Sequence, residues 1–166
     1  MRKFILFLAI IFIAIFNVRA QTEPAFPAIC INNGNSNNNN MTVAGTTTFT
    51  FSTLADFSAT QALNNITVNV KSSQKYKLYI AGVMTAITAS SSNTPIPINT
   101  FTISSTNRGT SPVTVTLSNL YLEVAEFASS TNGINHILTI TRNALSDFTQ
   151  APGTHTLTLH IRYCQY

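Results

Sequence analysis

The chain has no tryptophan and few charged residues, and both shortages limit what it can do. Only 8% of its 166 residues are Asp, Glu, Lys or Arg, and five of these are acidic. No metalloprotease HExxH motif, GxSxG nucleophile motif, phosphate-binding glycine loop or EF-hand pattern occurs. We therefore expect a protein without catalytic residues, a metal or a cofactor.

The ionisable residues that do occur are poorly spaced for chemistry. On a strand, Glu123 and Glu126 point to opposite faces. The two carboxylates of a glycosidase must instead flank the same scissile bond, so this pair does not predict glycosidase activity. His155 and His160 also project from opposite faces, so they do not chelate one metal within that strand. We expect these two histidines and His136 to be exposed strand residues.

One apolar run stands out, at residues 4–16. It follows Arg2 and Lys3, is too short to span a bilayer comfortably, and is followed by the small residue Ala20. These features are typical of a secretory signal peptide, residues 1–20, with cleavage before Gln21. The sequence therefore predicts export to the periplasm, the cell surface or the medium, with no membrane span after cleavage.

Signal cleavage changes the charge of the chain. Removal of Arg2, Lys3 and Arg19 leaves six basic residues against five acidic ones, so the net charge falls from +4 to +1. The basic balance therefore does not predict nucleic-acid binding. We expect residues 21–166 to form a single domain.

The chain has only two cysteines, Cys30 and Cys164, and both lie in the exported part. Oxidising conditions favour one disulfide between them, although two buried free thiols are the alternative. Two cysteines alone supply too few ligands for a metal site.

A two-residue alternation of apolar and polar side chains dominates from residue 43 onward. Ile66, Val68 and Val70 are one example, and turn signals such as Asn132 with Gly133 separate the alternating runs. About eight or nine short strands predict an all-β fold, an antiparallel β-sandwich. Residues 32–40, which carry no large apolar side chain, are expected to form a flexible loop.

Residues 47–71 and 138–162 resemble each other without gaps at an offset of 91. Each copy predicts a strand, a corner and a strand, with Leu and Phe in the core and Asp accepting backbone hydrogen bonds. Coincidence in a threonine-rich strand protein is the alternative. The corner residues are Leu54, Asp56 and Phe57 in the first copy and Leu145, Asp147 and Phe148 in the second.

A candidate binding patch combines basic and aromatic residues. Such a patch could contact a glycan or a partner protein, whereas the alternative is solvated strand residues with lysines that protect a sheet edge. Without tryptophan, a strong sugar-stacking platform is not expected. The patch residues are Lys71, Lys75, Lys77, Tyr79 and Tyr121.

The stretch PGTHTLTLHIRY at 152–163 resembles the closing strand of bacterial pilin-like sandwiches, including the spore coat protein U group. ITVNVKSSQKYKLYIAG at 66–82, followed by IPINTFTIS, is similar to sandwich domains of secreted bacterial surface proteins. The resemblance implies an immunoglobulin-like sandwich with a role in adhesion or a surface appendage. Pro24 and Pro27 cannot donate ladder hydrogen bonds, so polymerisation by a donated N-terminal strand is not expected.

Taken together, these patterns predict a non-catalytic, exported interaction module with an unidentified protein or glycan partner. The alternatives are a structural subunit of a filament or coat and, third, an enzyme whose site has no recognisable motif. The sequence leaves the oligomeric state open.

Overall fold

The computed structural model describes residues 17–19, 40–88, 96–106, 113–145 and 153–166, and strands dominate these ranges. The all-β class predicted from the alternation is confirmed. Two short 3₁₀ turns, Leu54–Phe57 and Ile98–Thr100, precede strands. The strands of the described residues are β1 (Asn17–Arg19), β2 (Asn40–Ala44), β3 (Thr48–Phe51), β4 (Gln61–Ser72), β5 (Tyr76–Thr88), β6 (Phe101–Thr106), β7 (Val113–Thr116), β8 (Leu122–Phe127), β9 (Thr131–Arg142) and β10 (Gly153–Gln165).

The strands form two antiparallel sheets of five strands each. Sheet A has the order β1-β5-β10-β3, with β8 also paired to β5, and sheet B has the order β2-β4-β9-β6-β7. Consecutive strands lie in different sheets throughout, except β6 and β7, which are neighbours in sheet B. Across these same ranges, no helix combines the length and apolarity needed to cross a bilayer.

The core lies between the inner faces of the two sheets. On β4, Ile66, Val68 and Val70 are fully buried, and on β5, Leu78 and Ile80 are too. The alternation read from the sequence therefore sets which side of each strand faces inward. Each buried side chain of this size stabilises the fold by roughly 1.5–3 kcal/mol relative to exposure.

Strand β5 runs without interruption through a region that the sequence pattern divides into two strands, at 76–80 and 83–89. Gly82 continues the inward-facing positions, and a Cβ there would lie 2.6 Å from the Leu117 side chain. Its amide donates to the Ser118 carbonyl at 2.9 Å. The glycine therefore marks a close approach of core side chains and not a strand end.

The Asn132–Gly133 pair lies inside β9, so the predicted turn at this place is wrong. Gly133 has φ +117°, and the β4–β9 register shifts between Val70 and Lys71. A glycine with positive φ occurs in β-bulges as well as in hairpin turns. The Asn–Gly dipeptide therefore does not distinguish a bulge inside a strand from a turn between two strands. Nearby, Asn40 begins β2, while residues 32–39 of the predicted loop lie outside the described residues.

The first corner joins β3 to β4 through the 3₁₀ turn. The Asp56 carboxylate accepts hydrogen bonds from the Ser52 and Thr53 amides, at 3.2 and 3.1 Å. The bond from the Thr53 amide is the main reason that the pKa of Asp56 lies below its ordinary value. Phe57 is fully buried, with its ring centroid 5.0 Å from that of Phe51. The turn therefore directs an aromatic side chain into the core between the sheets.

The second copy of the internal resemblance is described only in part. Leu145 is half-buried and packs against the core. Asp147 and Phe148 lie outside the described residues, as does the side chain of Leu54. The strands of both copies, however, are all described.

The two copies pair with each other about a pseudo-twofold axis. The first strand of each copy pairs with the second strand of the other, as β3 with β10 and β9 with β4. Exact symmetry at an offset of 91 would map the Phe51–His155 pair onto Asn64 and Arg142. Asn64 lies opposite Ile140, two residues from Arg142, so the two ladders differ in register by two residues.

We predict that Phe57→Ala lowers the free energy of unfolding by about 3–5 kcal/mol, because it removes a large side chain from a closed core. Urea denaturation monitored by circular dichroism measures the loss. Phe49→Ala on the adjacent strand is the control, since Phe49 is only half-buried and its truncation should cost clearly less. Equal losses in the two variants would contradict the assignment of Phe57 as the corner anchor.

Candidate functional site

The five residues of the candidate binding patch do not share one surface. Lys77 and Tyr79 point outward from sheet A, Lys71 points outward from sheet B, and Lys75 is exposed in the connection between β4 and β5. Tyr121 is half-buried just before β8. The structure thus brings Lys77, Tyr79 and Tyr121 to one sheet and separates Lys71 from them.

Lys77 is part of a charge-balanced cluster on the outer face of sheet A, which consists of Lys77, Arg162, Glu123 and Glu126. Its Nζ lies 2.8 Å from Glu123 Oε2 and 3.9 Å from Glu126 Oε2. The hydrogen bond to Glu123 is the main cause that raises the pKa of Lys77. The Tyr166 hydroxyl donates to Glu126, which raises the pKa of Tyr166. Lys77 on β5 therefore holds β8 through two carboxylates, and Tyr166 contacts one of them.

The two tyrosines of the patch lie beside this cluster. Arg162 Nε donates to the Tyr121 hydroxyl at 3.2 Å. Tyr79 lies between Arg162 on β10 and Glu123 on β8 in the sheet register. Cations and anions alternate here, so this part of sheet A is not a basic surface.

His136 is fully buried, so the expected exposure is wrong for this residue. Its Nε2 lies 2.6 Å from the Tyr76 hydroxyl, and Nδ1 has no hydrogen-bond partner. Burial lowers the pKa of His136 and raises that of Tyr76. The pair is therefore a neutral polar contact that joins β9 of sheet B to β5 of sheet A.

His155 is also buried, with 3% of its surface exposed, and its Nδ1 accepts from the Ile96 amide at 3.4 Å. His160 lies half-buried on the opposite face of the same strand. A signal for both buried histidines exists in the sequence, because His136 alternates with Leu138 and His155 with Leu157.

A buried arginine that the sequence reading did not single out supports the first corner. Arg142 is 6% exposed, and its guanidinium carbon lies 5.1 Å from the Phe57 ring centroid and 5.7 Å from that of Phe51. Its Nη2 donates to Gln61 Oε1 at 3.0 Å. Cation–π contacts of this kind partly compensate for the burial of the charge. Arg142 therefore belongs to the core and not to a binding surface.

The described part of the chain contains neither a free cysteine nor a cluster of metal-binding side chains. No free cysteine occurs there, and no three His, Cys, Asp or Glu side chains within it are grouped so that they could hold a metal ion. Cys164 is 5% exposed near the end of β10, whereas Cys30 lies outside the described residues.

A polar cleft of about 340 Å³ opens at one end of sheet B. It lies between the connection from β4 to β5 and the connection from β8 to β9, and Lys71 is the single charged residue in its lining. The lining residues are Lys71, Ser72, Ser73, Ser130, Thr131 and Asn132.

The outer face of sheet B continues from this cleft across all five strands. Most of its side chains are hydroxyls and amides, because most outward positions of the strands carry Thr, Ser or Asn, and Ala44, Ala62 and Ile137 are the apolar exceptions. The register sets them in rows, and we call this surface the neutral face. Its rows are Thr42–Asn69–Asn135, Ala44–Thr67–Ile137–Thr106, Asn65–Thr139–Ser104–Thr114 and Ala62–Thr141–Thr102–Thr116.

Hydrogen bonds between strands hold several amides of the neutral face. Asn69 Nδ2 donates to Asn135 Oδ1 at 2.8 Å, and the Thr139 hydroxyl donates to Asn65 Oδ1 at 2.8 Å. Gly133 lies beside the Asn69 side chain, where a Cβ would be 3.5 Å away. The bulge therefore keeps a small residue next to the asparagine pair.

A search of protein-family models, curated proteins and solved structures finds no match to this chain. The charge-balanced cluster links strands of sheet A, and the buried polar pairs link the two sheets, so both have a structural role. The neutral face and its cleft have no such role in the packing of the fold.

We predict that the stability of the protein falls between about pH 7 and about pH 5, because His136 is held neutral in the fold. Burial holds the pKa of His136 in the folded protein below its ordinary value of about 6.5, so the unfolded chain binds more protons in that window and acid favours unfolding. Thermal unfolding at a series of pH values measures the effect.

His136→Leu should flatten this pH response, whereas the control His160→Gln, on the outer face of sheet A, should retain it. An unchanged pH response in His136→Leu would show that another group is responsible.

Proposed function

We propose that this protein is an exported, non-catalytic β-sandwich that acts as an interaction module in the periplasm, at the cell surface or outside the cell, with a role in adhesion. The neutral face is the observation that carries this proposal. It presents side-chain donors and acceptors over five strands, whereas Asp56, Glu123 and Glu126 are engaged in contacts within the fold.

The immunoglobulin-like arrangement is part of the same proposal. Two antiparallel sheets of five strands, with the chain crossing between them at each corner, support it. The resemblance of the segments at 66–82 and 152–163 to pilin-like sandwiches is the second support. A surface role follows from that resemblance and from the predicted signal peptide.

Export implies that β1, at Asn17–Arg19, leaves with the signal peptide. This strand pairs with Ala86–Thr88 at the end of β5. Strand β5 keeps its pairing with β10 along its whole length and with β8 at 76–80. Cleavage before Gln21 therefore leaves the central ladders of both sheets intact.

We predict that the exported protein begins at Gln21, because the signal peptide is removed before this residue. Mass spectrometry of the exported protein measures its N-terminus.

A structural subunit of a filament or coat is the second candidate. The resemblance of the segments at 66–82 and 152–163 to pilin-like sandwiches supports it. Size-exclusion chromatography and negative-stain microscopy of purified protein separate the two candidates. A monodisperse monomer at high concentration would exclude the filament.

The interaction module is tested by probing the exported protein against a glycan array and a panel of surface proteins. We expect a ligand on at least one of the two. If neither yields a ligand while the protein remains folded, the interaction role is excluded.

We also propose that Cys30 and Cys164 form a disulfide that closes most of the domain. The oxidising environment predicted for an exported chain supports it, and the loop-entropy model assigns such a closure about 5 kcal/mol. Cys164→Ser should therefore lower the melting temperature of the oxidised protein. Thiol labelling before and after reduction measures the bond directly, and labelling of both cysteines in the native, unreduced protein would contradict it.

A further inference from the structure

We infer that the neutral face of sheet B binds an extended, uncharged polysaccharide through side-chain hydroxyl and amide groups. This inference rests on the proposed interaction role and assigns it a surface and a class of ligand. Four properties of the face carry it: its shape, its charge, its hydrogen-bonding groups and the residue types that it lacks.

The shape of the neutral face fits a polymer better than a small molecule. Its five strands lie about 4.8 Å apart, and its rows follow each other at about 6.7 Å along each strand. The surface is therefore roughly 20 Å in each direction and open, whereas sites for small molecules are concave and enclose their ligands. A polymer chain could contact several rows at once, so many weak contacts would add together.

The charge of the face selects an uncharged ligand. Among the outward-facing described residues of its strands, Lys71 alone is charged, and it lies at the margin beside the cleft. Arg142 points inward and contacts aromatic rings. An anionic polymer would lose hydration here without meeting a compensating charge.

The polar groups of the face are both donors and acceptors, as the hydroxyls of a sugar are. In the Asn69–Asn135 and Thr139–Asn65 bonds, each accepting amide uses its oxygen, so the NH₂ groups of Asn65 and Asn135 keep donors for a ligand. These bonds also restrict the side-chain rotamers before any ligand arrives. Prior ordering of this kind lowers the entropy that binding costs.

The residue types make a protein partner a poorer fit. Binding energy in protein interfaces concentrates in Trp, Tyr and Arg, and the rows of the neutral face contain none of these. Ile137, 43% exposed, is the large apolar residue at its centre. With so little apolar surface, the face has no core around which a partner protein or a second copy of the chain could pack.

The test is affinity electrophoresis of the purified exported protein in native gels that contain one polysaccharide each. The uncharged probes are hydroxyethylcellulose, laminarin, mannan and soluble starch, and the anionic probes are alginate and heparin. We expect retardation by at least one uncharged probe. Since no ion pairs form, the dissociation constant of that probe, measured by isothermal titration calorimetry, should change by less than about twofold between about 0.15 M and about 1 M salt.

Variants then locate the binding surface. Thr139→Lys places a long charged side chain at the centre of the face, and Asn135→Ala removes an amide from it. Each should weaken binding by about tenfold or more. Ser104→Lys, one strand away, replaces Thr139→Lys if that variant does not fold. Thr50→Lys is the matched control, because Thr50 is exposed on β3 of sheet A, and it should bind as the unmodified protein does.

The outcomes separate this inference from the broader role. Binding of a neutral polysaccharide that the face variants leave unchanged, or retardation by anionic probes alone, overturns the inference and leaves the interaction role standing. A protein ligand without any polysaccharide binding does the same. The absence of every ligand on the glycan array, the protein panel and the gels overturns both.

Discussion

The long ladder between β5 and β10 is the constraint on which the rest of the structure depends. It runs without a register shift from Thr88 opposite Gly153 to Tyr76 opposite Gln165. Because side chains alternate strictly along both strands, this one register decides which residues of sheet A face the core. Strand β3 then pairs with β10, and strand β8 pairs with β5. The Tyr166 amide, just after β10, donates to the Lys75 carbonyl, just before β5.

Polar contacts in the interior favour one alignment of the two sheets over others. Gln165 Nε2 donates to the Ser72 hydroxyl at 2.7 Å, which joins the end of β10 in sheet A to the end of β4 in sheet B. The Tyr76–His136 contact joins the sheets a short distance away. A one-residue shift of one strand against its neighbour would leave these buried groups without partners, at a cost of about 1–3 kcal/mol for each group.

The fold class follows from sequence alternation alone, since β4 displays it from Ile66 to Val70 and β10 from Leu157 to Tyr163. The wrong turn at Asn132–Gly133 arises because this dipeptide suits a β-bulge as well as a hairpin turn. The burial of His136, His155 and Arg142 does not follow from residue type, because polar side chains favour the surface, and only their positions in the alternation indicate it. The neutral face could not be foreseen, since its rows exist only when β2, β4, β9, β6 and β7 are aligned in one register.

The pairing of two similar strand–corner–strand units has a consequence for how such a domain can arise. One unit alone contributes one strand to each sheet and leaves the inner faces of both strands exposed to water. Such a unit could bury them only by associating with a second unit, at a rate and with an affinity that depend on concentration. Joining both units in one chain makes that association intramolecular, with an effective concentration set by the linker and independent of how dilute the protein becomes. For any dilute solution of the protein, this removes dissociation of the two units as a route to unfolding.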